Sequence, residues 1–474
     1  MRIALIHPAG SNWMPGRKDI TATANRMAPL GLLSIAAWLE REGHRVFVYD
    51  GLGPDAPPNN EAFAARILAD RPEMAGFSAT TSGFLDGVDL AERLKEKRPD
   101  IRTVFGGVHI SAVGGPLLSE FPAVDYLCMG EGEATLAELA SGSDPAQVDG
   151  LGFRDGGKIV VNPPRKPIQD LDSLPFPAYQ ALAGFPGSYH LPLFSYIRGP
   201  GATMVTSRGC PYRCAFCDRS VFGSRYRFNS AQYIYEHMRY LRDSFGVRHI
   251  NIYDDLFTVH RGRIIELCRK LAERPLGLRF NCAVRVGHAD EELLEMLKAA
   301  GCLMVSIGIE SGDEQVLARQ KAGVDLQGVR RTVHRIKDKG LRVKGLFMMG
   351  LPEETEESIR KTSDFALSLG LDDMNMAKFT PFPGAPVWKE IPSLGTFECR
   401  WPLMNCLNFV FLPQGIDSFQ TLDRLYNWHV QRFYRSKPWR RKFSRRLWQH
   451  RESLLRLVVH MPSFWSARNS FAEE

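Results

Sequence analysis

The chain lacks any apolar run of the roughly 18 residues that a membrane-spanning helix needs, so no spanning segment is predicted. It also lacks a secretory leader's hydrophobic stretch: Met1-Arg-Ile-Ala-Leu-Ile6 runs directly into His7-Pro8, and a short strand is expected there. Its nine cysteines show no paired spacing of the kind that builds a disulfide framework, which suits a reducing, cytoplasmic setting. Charge of neither sign dominates, and a net +7 over 474 residues does not by itself imply nucleic acid. The hydrophobic fraction of 44% and charged fraction of 24% place the chain among soluble globular proteins. Its length exceeds one ordinary core, so two large domains plus a tail are expected.

What is present is concentrated in one loop. Arg208-Gly-Cys-Pro-Tyr-Arg-Cys-Ala-Phe-Cys-Asp218 carries Cys210, Cys214 and Cys217 in a C-x3-C-x2-C spacing. Thiolates favour an iron–sulfur cluster or zinc. A closed zinc site wants four ligands, commonly two C-x2-C knuckles, and the next cysteine, Cys268, has no knuckle partner. Zinc is the plain alternative; a cubane with three protein ligands would keep one iron open for an outside ligand. With aromatic Phe216 just before the third cysteine, the loop resembles the signature of the radical S-adenosylmethionine (SAM) superfamily. The resemblance implies a [4Fe–4S] cluster on Cys210, Cys214 and Cys217, with SAM chelating the open iron through its amino and carboxylate groups. One electron from the cluster would cleave SAM to methionine and a 5′-deoxyadenosyl radical that removes hydrogen from a substrate. An electron donor such as a flavodoxin or ferredoxin would then be a partner.

Residues 1–145 read as an α/β unit, because short apolar runs alternate with helical segments. Strands are expected at Arg2–His7, Arg45–Asp50, Glu73–Ser78, Thr103–Gly106 and Val124–Met129, and helices at Leu30–Glu42, Glu61–Ala69 and Gly83–Lys97. Such alternation favours a parallel sheet that binds ligands beyond the carboxyl ends of its strands. Those ends carry small residues and hydroxyls, which allow close approach to a phosphate or planar ring. The stretches Pro29-Leu-Gly-Leu-Leu33, Gly76-Phe-Ser78, Gly106-Gly-Val-His109 and Gly130-Glu-Gly-Glu133 resemble the cobalamin-binding domain that precedes the barrel in one large radical SAM subgroup. Ser78, Thr80, Gly106, Gly107, His109, Gly130 and Glu131 are the cofactor contacts this implies. The D-x-H-x-x-G motif, whose histidine lies beneath cobalt in other cobalamin proteins, is absent, since Gly107 stands where its aspartate would. Methylcobalamin without a histidine lower ligand is therefore expected, with His109 a hydrogen-bonded loop histidine; a Rossmann-like domain that binds no cobalamin is the alternative.

Residues 146–194 are read as a linker, because Asp144–Gly157 is polar and the prolines of Asn162-Pro-Pro-Arg165 and Leu171–Tyr179 forbid a long helix. Residues 195–390 repeat a strand–helix rhythm, with strands expected at Ala202–Ser207, His249–Tyr253, Arg279–Ala283, Leu303–Gly308, Arg342–Met348 and Asp373–Phe379. Six such units suggest a partial, open barrel whose chemistry gathers at the strands' carboxyl ends. By resemblance, Arg285 would meet the SAM carboxylate, and Glu310 and Ser311 its amino group or ribose. Gly350 and Leu351 would offer backbone to the adenine, Phe216 an apolar contact, and Asp254 and Asp255 would touch SAM or substrate. For a single acid, a helix cap or salt bridge is nearly as good a reading.

The expected fold is thus α/β: a Rossmann-like parallel-sheet cobalamin-binding domain, a partial (β/α)6 radical SAM barrel, and a mainly helical C-terminal tail over 391–474. Between Arg432 and Arg456 the tail interleaves Arg and Lys with aromatics. It can lie on an anionic membrane at the inner face, or be a solvated face whose aromatics pack on the barrel, the reading favoured here. No nucleic-acid recognition module accompanies it. Arg432-Phe-Tyr-Arg435 followed by Pro438 faintly resembles tails of relatives acting on tetrapyrroles or terpenoid lipids. The function implied is hydrogen abstraction from an unactivated carbon followed by its methylation. Oxidative cyclisation of a tetrapyrrole, as in the anaerobic magnesium-protoporphyrin monomethyl ester cyclase group, is the second reading; a methylthiotransferase or RNA-modifying enzyme is a weaker third. A cobalamin or metal sensor binding nucleic acid through the tail is the non-enzymatic one.

Overall fold

The computed structural model describes residues 1–10 and 25–459, and two mainly parallel sheets organise them. The first sheet contains β1 (Arg2–His7), β2 (Arg45–Asp50), β3 (Met74–Ser78), β4 (Arg102–Gly106), β5 (Tyr126–Cys128), β6 (Leu151–Asp155) and β7 (Lys158–Val161), in the order β2-β1-β3-β4-β5-β6-β7. Pairing is parallel through β5. Ile3, Ala4, Leu5 and Ile6 are all buried because helices cover both faces of the sheet, as a continuous apolar strand requires. Helices Leu30–Arg41 and Gly132–Ala140 pack on one face, Asn60–Ala69 and Phe84–Lys97 on the other.

The segment read from sequence as polar connector supplies an antiparallel hairpin, β6–β7, that extends this sheet. Gly156 and Gly157 both have positive φ, which suits the tight turn of a two-residue hairpin. Only Leu151, Gly152 and Phe153 are buried, too short a stretch to announce a strand by periodicity.

The second sheet begins with β8 (Gly201–Met204). After it come the two-residue strands β9 (Ser207–Arg208) and β10 (Arg227–Phe228), which pair with each other. The barrel continues through β11 (His249–Ile252), β12 (Arg279–Val284), β13 (Cys302–Glu310), β14 (Arg342–Met349) and β15 (Asp373–Lys378). The six long strands lie in simple succession, β15-β14-β13-β12-β11-β8, all parallel, giving an open partial barrel. Its outer helices start where local chemistry says they should. Ser230, Asp290, Asp325 and Thr355 each accept a backbone N–H of the first turn with their side chains.

In the tail, β16 (Gly395–Phe397) and β17 (Phe411–Pro413) form a small hairpin, followed by helices Phe419–Tyr434, Lys437–Arg446 and Arg451–Val459. Several tail aromatics pack on the barrel. Tyr434 donates to Asp373 and to the Met374 carbonyl, Trp439 donates to the Asp372 carbonyl, and Phe433 is buried. Trp401 reaches the other way and packs edge-on against Phe84 and His109 of the first sheet's unit. Residues 460–474 of the tail lie outside the described residues. No described helix is long and apolar enough to cross a membrane.

Candidate active site

The cysteine loop leaves the carboxyl end of β8 and is pinched at its base by the β9–β10 pair. Gly209 is required at this pinch: its φ is +83°, and a Cβ there would lie 2.5 Å from the Arg225 carbonyl. The loop is tied to the barrel by Ala215 N–H donating to the Gln320 carbonyl and by Gly209 N–H donating to Asp255. Cys210, Cys214 and Cys217 are half-buried and unpaired. Burial pushes the Cys217 thiol up to about 12, and neighbouring Cys214, Asp255 and Cys210 add to that rise. Three thiols this close together favour ionisation only beside strong positive charge, which a metallocluster supplies. Among the described residues, no three His, Cys, Asp or Glu side chains converge as on one ion. Three half-buried loop thiols without a fourth cysteine in the loop fit a cluster that keeps one iron open.

Around the thiols the expected residues divide into two groups. Arg285 stacks over the Tyr212 ring at 3.7 Å and donates to the Ala322 carbonyl, which sets a buried cation against the loop. Phe216 packs on the apolar cluster that contains Leu351 and Phe379. Asp255 is open to solvent yet ringed by protein, which raises its carboxyl pKa. Glu310 adopts φ +65°, a strained conformation for a non-glycine residue, and pairs with Lys321 at 2.8 Å. Gly350, at φ +88°, and Leu351 both direct their N–H groups at one carboxylate oxygen of Glu354.

Two residues face inward instead. Asp254 accepts from the Thr206 N–H and hydroxyl and from the Ser207 hydroxyl, and lies 3.6 Å from Arg263, all buried. These contacts hold the loop's stem. Ser311 is fully buried, within hydrogen-bond reach of Thr362 and accepting from Asp313 N–H, so it shapes the turn after β13.

In the first sheet's unit, a cavity of about 110 Å3 opens at the strand ends, lined by Ser78, Gly106, Gly107, Gly130 and Glu131 together with Leu5, Ile35 and Leu136. Arg208, Val221 and Phe222 of the cysteine loop complete its wall, so the two units share the site. A Cβ at Gly31 would enter open space, and one at Gly130 would meet nothing nearer than the Val221 carbonyl at 3.9 Å. These bare backbones and apolar walls fit a flat organic group. Thr80 is outside this lining; its hydroxyl caps Gly83 N–H in a turn. His109 is buried between Phe84 and Trp401, with Nδ1 3.3 Å from the Thr81 hydroxyl and its pKa pushed down to about 4 by burial.

Sequence reasoning missed the pairs that lock these parts together. Arg208 lies 2.6 Å from Glu133 and 3.4 Å from Glu131, while Arg227 lies 2.6 Å from Glu131. Glu131, Glu133 and Arg227 are buried, and Arg208 is nearly so. Burial alone would raise the Glu133 carboxyl, but Arg208 and Ser34 outweigh it and hold the pKa below the usual range. Both Glu residues stood in a recognised motif and Arg208 opened another; only their pairing across 75 and more residues was invisible.

A sheet whose strand-end cavity shares a wall with a thiol loop at a barrel mouth has the layout to hold two cofactors side by side. Comparison with known proteins is more specific. Residues 204–366 match the radical SAM superfamily, and residues 16–140 match the B12 binding domain. An uncharacterized methyltransferase of Pyrococcus horikoshii is 32% identical over 396 residues, covering 82% of this chain and 83% of that protein. The anaerobic magnesium-protoporphyrin IX monomethyl ester cyclase of Rubrivivax gelatinosus is 27% identical over 449 residues, 92% of this chain and 78% of that one. The fold is shared with the radical SAM methyltransferase TsrM from Kitasatospora setae, at TM-score 0.66 and 21% identity over 83% of this chain and 78% of that one. It is shared also with the cobalamin-dependent radical enzyme OxsB, at TM-score 0.72 and 16% identity over 97% and 72%. The chain belongs to the radical SAM superfamily, in the branch that carries a B12-binding domain, and it is an enzyme.

Proposed function

We propose that this enzyme methylates an unactivated carbon of a small apolar substrate, using a [4Fe–4S] cluster, SAM and cobalamin. The observation that carries the reading is the shared wall: Arg208 lies two residues before Cys210 and also lines the cavity at the first sheet's strand ends. Cys210, Cys214 and Cys217 would hold the cluster, with Arg285 facing the SAM carboxylate, Glu310 its amino group and Phe216 with Leu351 its adenine. The glycine-edged cavity would take cobalamin's planar base. When bound, the cluster supplies the electron that cleaves SAM, and cobalamin supplies the methyl group. The chain's own part is to hold these groups in register, shut water out through the interdomain contact, and leave the substrate between the mouth and the sheet.

The similarity of the Rubrivivax cyclase over most of the chain favours one second reading, radical oxidation of a tetrapyrrole without methyl transfer. A tetrapyrrole or terpenoid lipid is the substrate class proposed, with a flavodoxin or ferredoxin as electron donor. The setting proposed is cytoplasmic. Anaerobic incubation of reconstituted enzyme with SAM, cobalamin and cell extract tests the choice. Methylation predicts both S-adenosylhomocysteine and 5′-deoxyadenosine; deoxyadenosine alone would remove methyl transfer and leave the oxidative reading.

A further inference from the structure

The end of the described chain carries a surface unrelated to the barrel mouth. Trp448, Arg451, Leu455 and Val459 succeed one another at steps of three and four residues along the turn Leu447–His450 and the helix Arg451–Val459, so they share a face. That face meets solvent: Trp448 is 80% exposed, Leu455 66%, Val458 58% and Val459 70%. The opposite face is anchored. His450 Nδ1 lies 2.6 Å from the Tyr196 carbonyl and Ser453 accepts from Phe194 N–H, while Glu452, at the edge of the stripe, accepts from Gly199 N–H. The expected order of an amphipathic helix is inverted here, with the apolar stripe outward.

In the helix that precedes the stripe in the chain, Lys437, Arg440, Arg441 and Arg445 are exposed and form no ion pair among the described residues. Glu452 is the single acid between Arg435 and Val459, and Gly199 already occupies it. We propose that this face docks the protein on an anionic lipid bilayer, with Trp448, Leu455, Val458 and Val459 entering the headgroup–acyl boundary and the arginines meeting lipid phosphates. An RNA partner would use the cations but leave the stripe in water, and a protein partner would have to desolvate unpaired arginines; an anionic bilayer satisfies both sets of groups. The anchoring residues precede β8 at its amino end, whereas the cysteines leave its carboxyl end. Docking therefore turns the cofactor mouth away from the bilayer, and it is independent of the chemistry at that mouth.

The test is sedimentation of full-length holoprotein with vesicles of phosphatidylcholine, alone or with about one-third phosphatidylglycerol, at low and at high salt. Binding to the anionic vesicles that weakens with salt is expected. Arg441→Glu/Arg445→Glu and Trp448→Ser/Leu455→Ser should each weaken it by about tenfold or more, since both charge and inserted surface contribute. All four positions are exposed, and unchanged cluster and cobalamin spectra would report an intact fold. Protein that stays in the supernatant with both vesicles overturns the proposal, as does binding indifferent to either variant. Lipid-free self-association that Trp448→Ser/Leu455→Ser abolishes would also overturn it, by giving the stripe to a second copy.

Discussion

Arg208 and Glu133 form a largely buried ion pair at 2.6 Å that ties the base of the cysteine loop to the first turn of helix Gly132–Ala140. Ser34 donates to the same carboxylate oxygen, and Glu131 accepts the Ile168 N–H, so the four-charge cluster also clamps the segment that joins the two units. Removing one member leaves an uncompensated charge in a largely buried contact. Arg208→Met should therefore cost about 3–5 kcal/mol in chemical unfolding. Arg208→Lys keeps the charge but not a planar fork that can face Glu131 and Glu133 together, and should recover only part of the loss. Proteolysis between residues 162 and 170 should quicken in Arg208→Met before the barrel itself unfolds. Equal stability of wild type and Arg208→Met would show that the pair contributes nothing to holding the units together.

Glu354 gives a prediction with a definite pH signature. Burial raises its carboxyl to about 8, against the opposing pull of the Gly350 and Leu351 N–H groups. The folded protein thus keeps a proton that the unfolded chain releases near 4.5, and stability from this residue is full below that value and falls as pH rises towards 8. Glu354→Gln resembles the protonated form and cannot ionise. Its stability relative to wild type should increase between pH ~5 and ~8 by a few kcal/mol, at about 1.4 kcal/mol per pH unit. Glu354→Ala instead orphans two buried N–H groups beside the proposed adenine contact, and should cost about 2–4 kcal/mol while weakening SAM binding. Denaturant midpoints across that pH range separate the variants.

What could be read before the structure was whatever depends on near neighbours in sequence. The six long barrel strands were legible because apolar runs alternate with helices opened by Ser230, Asp290, Asp325 and Thr355. The thiol loop was legible because three ligands fall within eight residues. The buried partners of Asp254 and Ser311 were not legible, because they depend on Arg263 and Thr362, which lie elsewhere along the chain. Trp401 was unremarked in a stretch with little periodicity, although it seals His109 from outside the first sheet's unit. Lys321 and Glu354 stood in plain polar sequence and gained meaning only from the folds of β13 and β14 around them.

The stacking of Arg285 on Tyr212 is a second point at which the proposed SAM site can be tested. The guanidinium plane lies over the ring at 3.7 Å, and Tyr212 is itself held by its hydroxyl 2.7 Å from His288 Nε2. Arg285→Lys retains charge but loses the flat stack and the fork, so it should weaken SAM binding by about tenfold, worth roughly 1.4 kcal/mol. Iron content and cluster absorbance should be unchanged, whereas Cys210→Ala should remove both. Calorimetric titration of SAM into the two variants distinguishes the roles. Unaltered SAM affinity in Arg285→Lys would place the carboxylate contact elsewhere.

His237 is buried with neither ring nitrogen bonded, and it stacks on Phe176 at 4.8 Å beside a cavity of about 290 Å3 at the junction of the two units. Burial lowers its pKa to about 3. The unfolded chain protonates this histidine near 6.5 while the folded one does not, so its contribution to stability is full above 6.5 and is lost as pH falls. His237→Phe removes the titration and the two orphaned nitrogens while keeping a ring on Phe176, with open space beside it for the slightly larger side chain. At pH ~7 the variant should be more stable by about 1 kcal/mol. By pH ~5 the gap should widen by about 2 kcal/mol, because only the wild type gives up a proton's worth of stability there. His109 and His249, both also held neutral by burial, leave a residual acid slope in the variant. Urea unfolding at the two pH values measures the change, and a constant difference between variant and wild type would mean that His237 is bonded to water in the cavity and titrates like a solvent-exposed imidazole.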